Sequence, residues 1–443
     1  MIARCLHCGL LLNDLCKVLE MKLIKKIFGN TIIKNLSYLV TGTALAQVLI
    51  IFFQLILRRI YTPADFGAFA VYMSVIGIIA VIASMRYEQT IILPADDNKA
   101  YNLLYLSFGI GLIISVLTAV LLFVFKQPFM RLINFPEKYA NWLAFVPLSL
   151  LLLSIYQALN YYLIRLKQFK LSASNKVERR IAEGVTQTIS GYCGNQTGLV
   201  FGDIAGQSVN ALAAGIKVHK FVGGLKLSWA TIKSVAAEYK SFPLKNSFAA
   251  FLNALSLLLP TIFINRLFDE QTTGLFDLAR MLMIMPLSLV TTSMGQVLVQ
   301  RFTELRNKRE SIRHDFCRIA TLLAVLALVF AVVAFLLAPS LLALIFGETW
   351  RESGVYVRIM VWAFAFKFVV SPFNMVFTAF EKIGRLSVWQ TIYFLLIFSL
   401  IFIPVNNIYG FLRCYLAVEL FSYAIVALMT LKVVREYEKS IAN

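Results

Sequence analysis

The chain contains two copies of one hydrophobic unit, and this duplication restricts its fold more than any other feature. Arg59 and Gly67 lie around the turn between the first two apolar runs. The same residue types recur as Arg266 and Gly274, in both cases 207 residues later (266 − 59 and 274 − 67). Each half holds about six apolar runs, an even number, so the two copies share one orientation in a membrane.

The composition indicates that both copies lie in the bilayer. Of the 443 residues, 59% are hydrophobic and 15% charged, and the mean hydropathy is +0.76. A soluble protein would carry about 25% charged residues. Apolar runs of about 20 residues, each long enough to span the hydrocarbon core, recur along the chain. We therefore expect an all-α polytopic membrane protein, with about twelve helices in two pseudo-symmetric six-helix lobes around a central cavity.

The hydropathy pattern places the spans approximately, and the fifth is the weakest because it is rich in Gly, Thr, Ser and Gln. The predicted spans are 36–57, 66–85, 101–125, 142–164, 178–196, 199–218, 244–265, 274–298, 317–338, 354–380, 386–404 and 410–431.

The net charge of +19 comes from 42 basic and 23 acidic residues. In a soluble protein this excess would favour nucleic acid. Here the basic residues gather before the first span and in the fourth, sixth and eighth connections, which lie on one side if the spans number twelve. The positive-inside rule therefore predicts that both termini are cytoplasmic.

Four segments follow from this pattern. Residues 1–30 form an N-terminal extension, and Met21 is a plausible alternative start. Residues 31–221 form the first lobe and 244–443 the second. Between them, 222–243 has apolar residues at helical spacing opposite lysines, which predicts an amphipathic helix at the cytoplasmic interface or a surface helix over the lobe junction. The spacing of the six cysteines predicts neither a disulfide framework nor a metal site.

Charged residues at membrane depth are the main functional candidates, because their burial is costly. Lys367 lies near the middle of the tenth span, and we expect it either in a water-filled cavity or against a carbonyl or an acid. Asp277 and Arg280 lie three residues apart on one face of the eighth span. They form either an intrahelical ion pair or a site in which Arg280 meets an anion while Asp277 tunes it or exchanges a cation.

Further arginines lie at the ends of spans. Arg86 and Glu88 follow the second span on the cytoplasmic side, whereas Arg58, Arg59 and Arg266 lie at the opposite ends of the first and seventh spans. Each fits an interfacial anchor. Together they would place guanidinium groups, which bind two phosphate oxygens at once, at both mouths of a path.

Three acids remain as candidates for ion coupling. Asp203 lies on a polar stripe of the sixth span, and hydrogen bonds between tightly packed helices would also explain this stripe. Glu183 on the fifth span and Glu419 on the twelfth are expected to be isolated buried acids that bind a proton or sodium ion.

Several motifs resemble one family. The stretch 239–248, Leu259 with Pro260, Ala279 with Arg280, and the segments 59–69 and 198–207 are similar to the polysaccharide transporter family, which flips lipid-linked O-antigen or capsule repeat units. This family belongs to the multidrug/oligosaccharidyl-lipid/polysaccharide exporter superfamily. The resemblance covers about 30–435, and its small residues and prolines specify the fold more than the substrate.

The resemblance implies a flippase of the bacterial inner membrane that alternates between two lobe arrangements. Its substrate would be undecaprenyl diphosphate carrying an oligosaccharide, with Lys367, Arg280 and Arg86 near the anionic head. Membrane lipids, and polymerase and chain-length proteins of the pathway, are the expected partners, with no cofactor and no catalysis. The alternatives are a cation-coupled multidrug exporter, a polysaccharide polymerase or ligase, and an uncoupled scramblase.

Overall fold

The computed structural model describes residues 30–243 and 247–442, and all regular structure in these ranges is helical. The predicted extension up to residue 29, with Met21, and the start of the second lobe at 244–246 lie outside the described residues. The helices of the first half are α1 (Asn30–Ile60), α2 (Pro63–Ala80), α3 (Tyr87–Thr90), α4 (Asp97–Val124), α5 (Lys126–Ile133), α6 (Val146–Arg165), α7 (Phe169–Tyr192) and α8 (Gly198–His219).

The second half again has six long helices after a short linker helix. Its helices are α9 (Trp229–Glu238) in the linker, then α10 (Ser247–Leu267), α11 (Glu270–Lys308), α12 (Arg313–Phe346), α13 (Arg351–Val370), α14 (Met375–Ala379), α15 (Ile383–Ser399) and α16 (Ile408–Ala442). We call α1–α8 the first lobe and α10–α16 the second lobe.

Eleven helical segments in the described ranges are long and apolar enough to cross a membrane. The remaining predicted span, 178–196, corresponds to α7. This helix carries many polar residues and packs between α1 and α8, so its polar groups lie against protein rather than lipid. The predicted span 354–380 crosses the same region as one segment, but it is not one continuous helix. It breaks after Val370 into a short 3-10 turn at Ser371–Asn374, because Pro372 has no N–H to continue the ladder.

The repeat extends to the signals that start the second helix of each lobe. Thr62 accepts a hydrogen bond from the Asp65 N–H, while Asp65 accepts one from the Thr62 N–H, which forms a capping box before α2. Asp269 caps α11 by accepting from the Thr272 N–H at 2.6 Å. The two caps are also 207 residues apart (269 − 62), so the duplicated unit includes the helix start and not only the apolar pattern.

The helices α2 and α11 cross at the interface between the lobes, at the repeated glycines. A Cβ atom on Gly67 would clash with the Glu270 carbonyl, and one on Gly274 would clash with the Pro63 carbonyl. Glu270 is the repeat mate of Pro63 (270 − 63 is again 207). The contact is therefore symmetric, and it brings the two backbones together as small residues do in membrane helix pairs.

The linker helix α9 packs on the first lobe. Val235 is fully buried, the Tyr87 hydroxyl donates to the Ala236 carbonyl at 2.9 Å, and Lys99 forms an ion pair with Glu238 at 2.8 Å. The opposite face is open, and Trp229 is 69% exposed. The linker is thus attached to the first lobe by one face of a short helix.

Candidate functional site

A buried ion pair joins the two lobes where α1 ends. Arg58 lies at 2.9 Å from the Asp277 carboxylate on α11. Its guanidinium lies over the rings of Phe66 and Trp350, at 4.1 and 4.4 Å, and the Trp350 indole donates to the Arg58 carbonyl at 2.8 Å. The Arg58 side chain has no exposed surface. Arg58 therefore exchanges its solvation for contacts that include Asp277 and Trp350 of the opposite lobe.

The repeated arginines hold the lobes together on both sides of this pair. Arg59 donates to the carbonyls of Ile345 and Leu344, at 3.0 and 3.4 Å, at the end of α12 in the second lobe. In the reciprocal contact, Arg266 donates to the Leu132 carbonyl at the end of α5 in the first lobe. A helix C-terminus has free carbonyls and partial negative charge, which suits a guanidinium. Each repeated arginine thus caps a helix end of the opposite lobe.

Asn265 makes a further polar contact between the lobes, which the sequence analysis did not predict. Its side-chain amide donates to the carbonyls of Ile133 and Asn134, both at 2.8 Å. The Asn134 side chain in turn donates to the Asn265 carbonyl at 3.1 Å. Asn265 is the repeat mate of Arg58 (265 − 58 is 207), a correspondence that could have revealed it.

We call this set the lobe seam: Arg58, Arg59, Asn265, Arg266, Asp277 and the groups they contact. Within the described parts of the chain, the side-chain hydrogen bonds between the lobes gather here, at the end of the bundle where α1 and α10 finish. Arg59 and Arg266 therefore link the two lobes at this end of the bundle.

Asp277 and Arg280 do not pair with each other, so the predicted intrahelical ion pair is wrong. Asp277 reaches Arg58 across the seam, whereas Arg280 donates to the Thr261 hydroxyl at 3.0 Å and to the Leu257 carbonyl on α10. Both acceptors lie beside Pro260, where the proline weakens the helical ladder. The buried Nε of Arg280 has no hydrogen-bond partner in the described residues. This arginine therefore retains an unused donor.

Lys367 does not lie in a water-filled cavity, and this expectation is corrected. Its ammonium lies 3.3 Å from the Glu419 carboxylate, and only 6% of the residue is exposed. The Tyr393 hydroxyl also donates to Glu419 at 2.7 Å, and the Tyr423 ring lies 4.8 Å from the ammonium. The contact joins α13 and α16 within the second lobe. Glu419 is therefore not isolated, contrary to the prediction. Lys367 instead contacts an acid, which is the alternative that the sequence analysis gave for it.

The acids of the first lobe are also paired. Glu183 lies 2.7 Å from Arg180 and 3.7 Å from Arg179, so the prediction of an isolated acid is wrong here too. Asp203 is fully buried, accepts from Ser149 at 3.0 Å and lies 3.6 Å from Arg179. Arg179 thus contacts both carboxylates between α7 and α8, and Arg180 pairs with Glu183, so two arginines balance two acids.

Arg86 lies directly before the short helix α3, six residues after α2 ends at Ala80. Met85 and Arg86 both have positive φ, 48° and 65°, a left-handed conformation that separates the turns after α2 from α3. Glu88 follows, 4% exposed, and accepts from the Ser84 hydroxyl at 2.6 Å. Burial raises the pKa of Glu88, although Ser84 and Arg86 oppose this shift. Like Arg280, Arg86 has a buried Nε without a hydrogen-bond partner among the described residues.

No metal centre is present in the described ranges, where no three His, Cys, Asp or Glu side chains are grouped for one. The cysteine pair at 5 and 8 lies outside these ranges. Two lobes related by a repeat, and joined at one end by polar side-chain contacts, make up a two-lobe helical membrane protein.

Comparison with known proteins gives the family. The family described as "Polysaccharide biosynthesis protein" matches residues 56–355, more than half of the chain. The chain therefore belongs to this family. No curated protein matches it significantly in sequence.

Solved transporters have the same fold. The lipid II flippase MurJ in an inward closed conformation is 11% identical, with a TM-score of 0.71 and coverage of 91% of this chain and 90% of that one. A MATE family multidrug resistance transporter of the MOP superfamily, in an inward-facing conformation, is 15% identical, with a TM-score of 0.66 and coverage of 92% and 99%. A MOP superfamily transporter from Pyrococcus furiosus is 14% identical, with a TM-score of 0.61 and coverage of 92% and 96%.

Proposed function

We propose that the protein is a flippase that moves undecaprenyl-diphosphate-linked oligosaccharide repeat units across the bacterial inner membrane by alternating access of its two lobes. Family membership places it in polysaccharide biosynthesis. The observation that carries the mechanism is the lobe seam, whose polar contacts would close one mouth and separate when the lobes rock. In this proposal both termini are cytoplasmic, and the pathway's polymerase and chain-length proteins receive the product.

Arg280 and Arg86 are the proposed contacts to the diphosphate. Each retains a buried Nε donor without a partner in the described ranges, and a diphosphate offers several acceptor oxygens. Arg58 and Arg179 also have such a buried donor atom, but each faces a carboxylate, Asp277 and Asp203 respectively. Arg280 and Arg86 differ in that each has an unused donor and forms no ion pair with a described acid, which favours them as anion contacts.

Lys367 is proposed as a third contact that becomes available when it leaves Glu419. In the described state the pair neutralises itself, so the ammonium adds no net charge to a path. Protonation of Glu419 would free Lys367, and Asp203 with Glu183 offers a second place for a coupling ion. These assignments connect ion binding to substrate binding without a catalytic group.

The test is translocation in proteoliposomes. Purified protein is reconstituted with a fluorescent polyprenyl-diphosphate oligosaccharide, and a membrane-impermeant quencher reports the fraction moved between leaflets. We expect Arg280→Gln to reduce the initial rate by at least about tenfold, because the lost interaction is a charge-assisted hydrogen bond. Arg385→Gln, which removes an arginine paired with Glu436 at the protein surface, is the matched control.

Export of cationic compounds is the alternative function, and the buried acids Asp203 and Glu183 favour it. The same proteoliposomes distinguish the two functions. Proton- or sodium-driven uptake of a cationic dye, together with no movement of the lipid-linked oligosaccharide, would replace flipping by drug export. Movement of the oligosaccharide lipid with no dye uptake supports the proposal.

A further inference from the structure

An apolar groove lies on the outer face of the first lobe, away from the lobe seam. It has a volume of about 340 Å³ between α4, α6 and α8, and Val222 from the linker closes one side. Leu212 and Ile216 on its wall are 66% and 64% exposed, so the groove opens toward lipid. This volume is at the lower end of the range of small-ligand sites, and an apolar lining suits a hydrocarbon chain.

One end of the groove is polar. Tyr101, Tyr105 and His219 line it there, and the two tyrosine hydroxyls lie 3.3 Å apart. This end is level with the start of α4 and the end of α8, where the chain leaves the bilayer. Tyrosines at this level are typical of the membrane interface. The groove therefore runs from the interface into the apolar region, as a lipid with one chain inserted would.

Two lysines lie next to the polar end. Lys220 follows His219 directly, and both Lys220 and Lys226 are exposed. The Lys226 backbone is fixed against α4, because its N–H donates to Asn98 at 3.1 Å and its carbonyl accepts from Asn102 at 3.0 Å. Neither lysine forms an ion pair with another described residue. Their charges are thus available at the depth of a phospholipid headgroup.

The linker carries further signs of contact with a lipid surface. Trp229 is 69% exposed, and the Lys233 ammonium lies 5.7 Å from its ring. Phe221 and Leu227 are 42% and 54% exposed beside the two lysines. An exposed aromatic among basic residues is typical of segments that lie on an anionic leaflet.

We propose that the groove is a binding site for one anionic phospholipid of the leaflet on the linker side. One acyl chain lies between α4 and α8, and Lys220 and Lys226 contact the phosphate. A zwitterionic lipid would bring its own cation toward these lysines and bind less well. Because Val222 forms part of the wall, the lipid fills the space between the linker and the first lobe and holds them together. This site does not depend on what the transporter carries.

Gly215 offers a precise way to block the groove. A Cβ atom there would meet only Leu159, at 3.9 Å, so a larger side chain enters the groove without moving the backbone. Gly109 on α4 is the matched control, because a Cβ there has no atom within 4 Å and the residue does not line the groove. Gly215→Phe therefore blocks the chain site, whereas Gly109→Phe adds the same ring to the open lipid face.

The experiment measures lipid retained by the full-length protein in detergent, by native mass spectrometry, with phosphatidylglycerol and phosphatidylcholine of identical chains. We expect phosphatidylglycerol to be retained about tenfold more in the unmodified protein. Gly215→Phe should reduce the occupancy of phosphatidylglycerol at least about tenfold. This reduction corresponds to about two methylene groups of the acyl chain losing their apolar contact. Gly109→Phe should leave it unchanged.

A second variant tests the headgroup contact without changing the groove. The double change Lys220→Gln with Lys226→Gln should bring retention of the two lipids close to equal. Lys167→Gln with Lys170→Gln, in another exposed basic connection, should preserve the preference. Equal retention of both lipids by the unmodified protein, or full occupancy in folded Gly215→Phe, would overturn the proposal and leave only annular lipid.

Discussion

Gly67 and Gly274 lie against each other's helix across the lobe interface, and each leaves no room for a side chain. A Cβ on Gly67 would clash with the Glu270 carbonyl, and a Cβ on Gly274 would clash with the Pro63 carbonyl. Pro63 and Glu270 are themselves equivalent positions of the repeat. Here the lobes are in backbone contact, next to the polar contacts of the seam. The same two residues carry the internal repeat in the sequence.

We predict that Gly67→Ala and Gly274→Ala each destabilise the closed seam. The rigid neighbours are backbone atoms, so the helices α2 and α11 must separate, at a cost of about 1–3 kcal/mol. Thermal unfolding in detergent should show a lower Tm for both variants. Gly109→Ala, with open space around its Cβ, is the control and should unfold like the unmodified protein. Equal Tm values for all three variants would contradict the close approach.

We predict strong coupling between Arg58 and Asp277. Asp277→Leu leaves the buried guanidinium without its charge partner and should cost about 2 kcal/mol, below the range for fully buried pairs because the Asp277 side chain is 35% exposed. Arg58→Met with Asp277→Leu should recover most of that loss. A double-mutant cycle in thermal unfolding measures this. Additive losses would show that the two side chains do not interact.

We predict that variants of Lys367 and Glu419 have separable effects on stability and on transport. Lys367→Met and Glu419→Gln should each lower Tm, because each leaves a buried charge unpaired. The double variant should regain stability, yet it should not regain flipping of the oligosaccharide lipid, since the ammonium proposed to contact the diphosphate is gone. Transport rescued together with stability would assign the pair to packing alone.

We predict that Glu88→Gln stabilises the protein increasingly as the pH rises. The folded-state pKa of Glu88 is raised by burial, so ionisation is harder in the folded than in the unfolded chain. At a pH below the unfolded pKa the residue is protonated in both states, and the variant should match the original. Above the folded pKa the original carries a poorly solvated charge. Tm of both proteins is measured between pH 4 and pH 8, a range that begins near the usual glutamate pKa of about 4.3. The Tm of Glu88→Gln should exceed that of the unmodified protein by an amount that grows with pH. A constant difference between the two curves would refute this.

The duplicated pattern was sufficient to predict the two lobes, because apolar runs and repeated Arg and Gly residues are properties of the chain itself. It also placed Arg59 and Arg266 at one end of the bundle. The break at Pro372 and the polar α7 changed only the details of individual spans, since packing against other helices can compensate for polar or irregular backbone.

The partners of the buried charges could not be predicted in the same way. Asp277 has Arg280 one turn away, yet it binds Arg58 from 219 positions away. Lys367 and Glu419 lie on different spans 52 residues apart. Which of several charges meet depends on helix rotation and on the register between lobes, and the spacing along one helix does not encode either. The repeat itself contains one usable signal, because the position 207 residues after Arg58 is Asn265.

The most direct test of the account is to lock the seam during transport. In a background in which the six native cysteines are serine, Arg59→Cys and Ile345→Cys place thiols on opposite sides of a contact between the lobes. After treatment with a short bifunctional thiol reagent, we predict that flipping of the labelled polyprenyl-diphosphate oligosaccharide stops, and that it returns when the link is reduced. Undiminished flipping in the fully crosslinked protein would contradict alternating access through this seam.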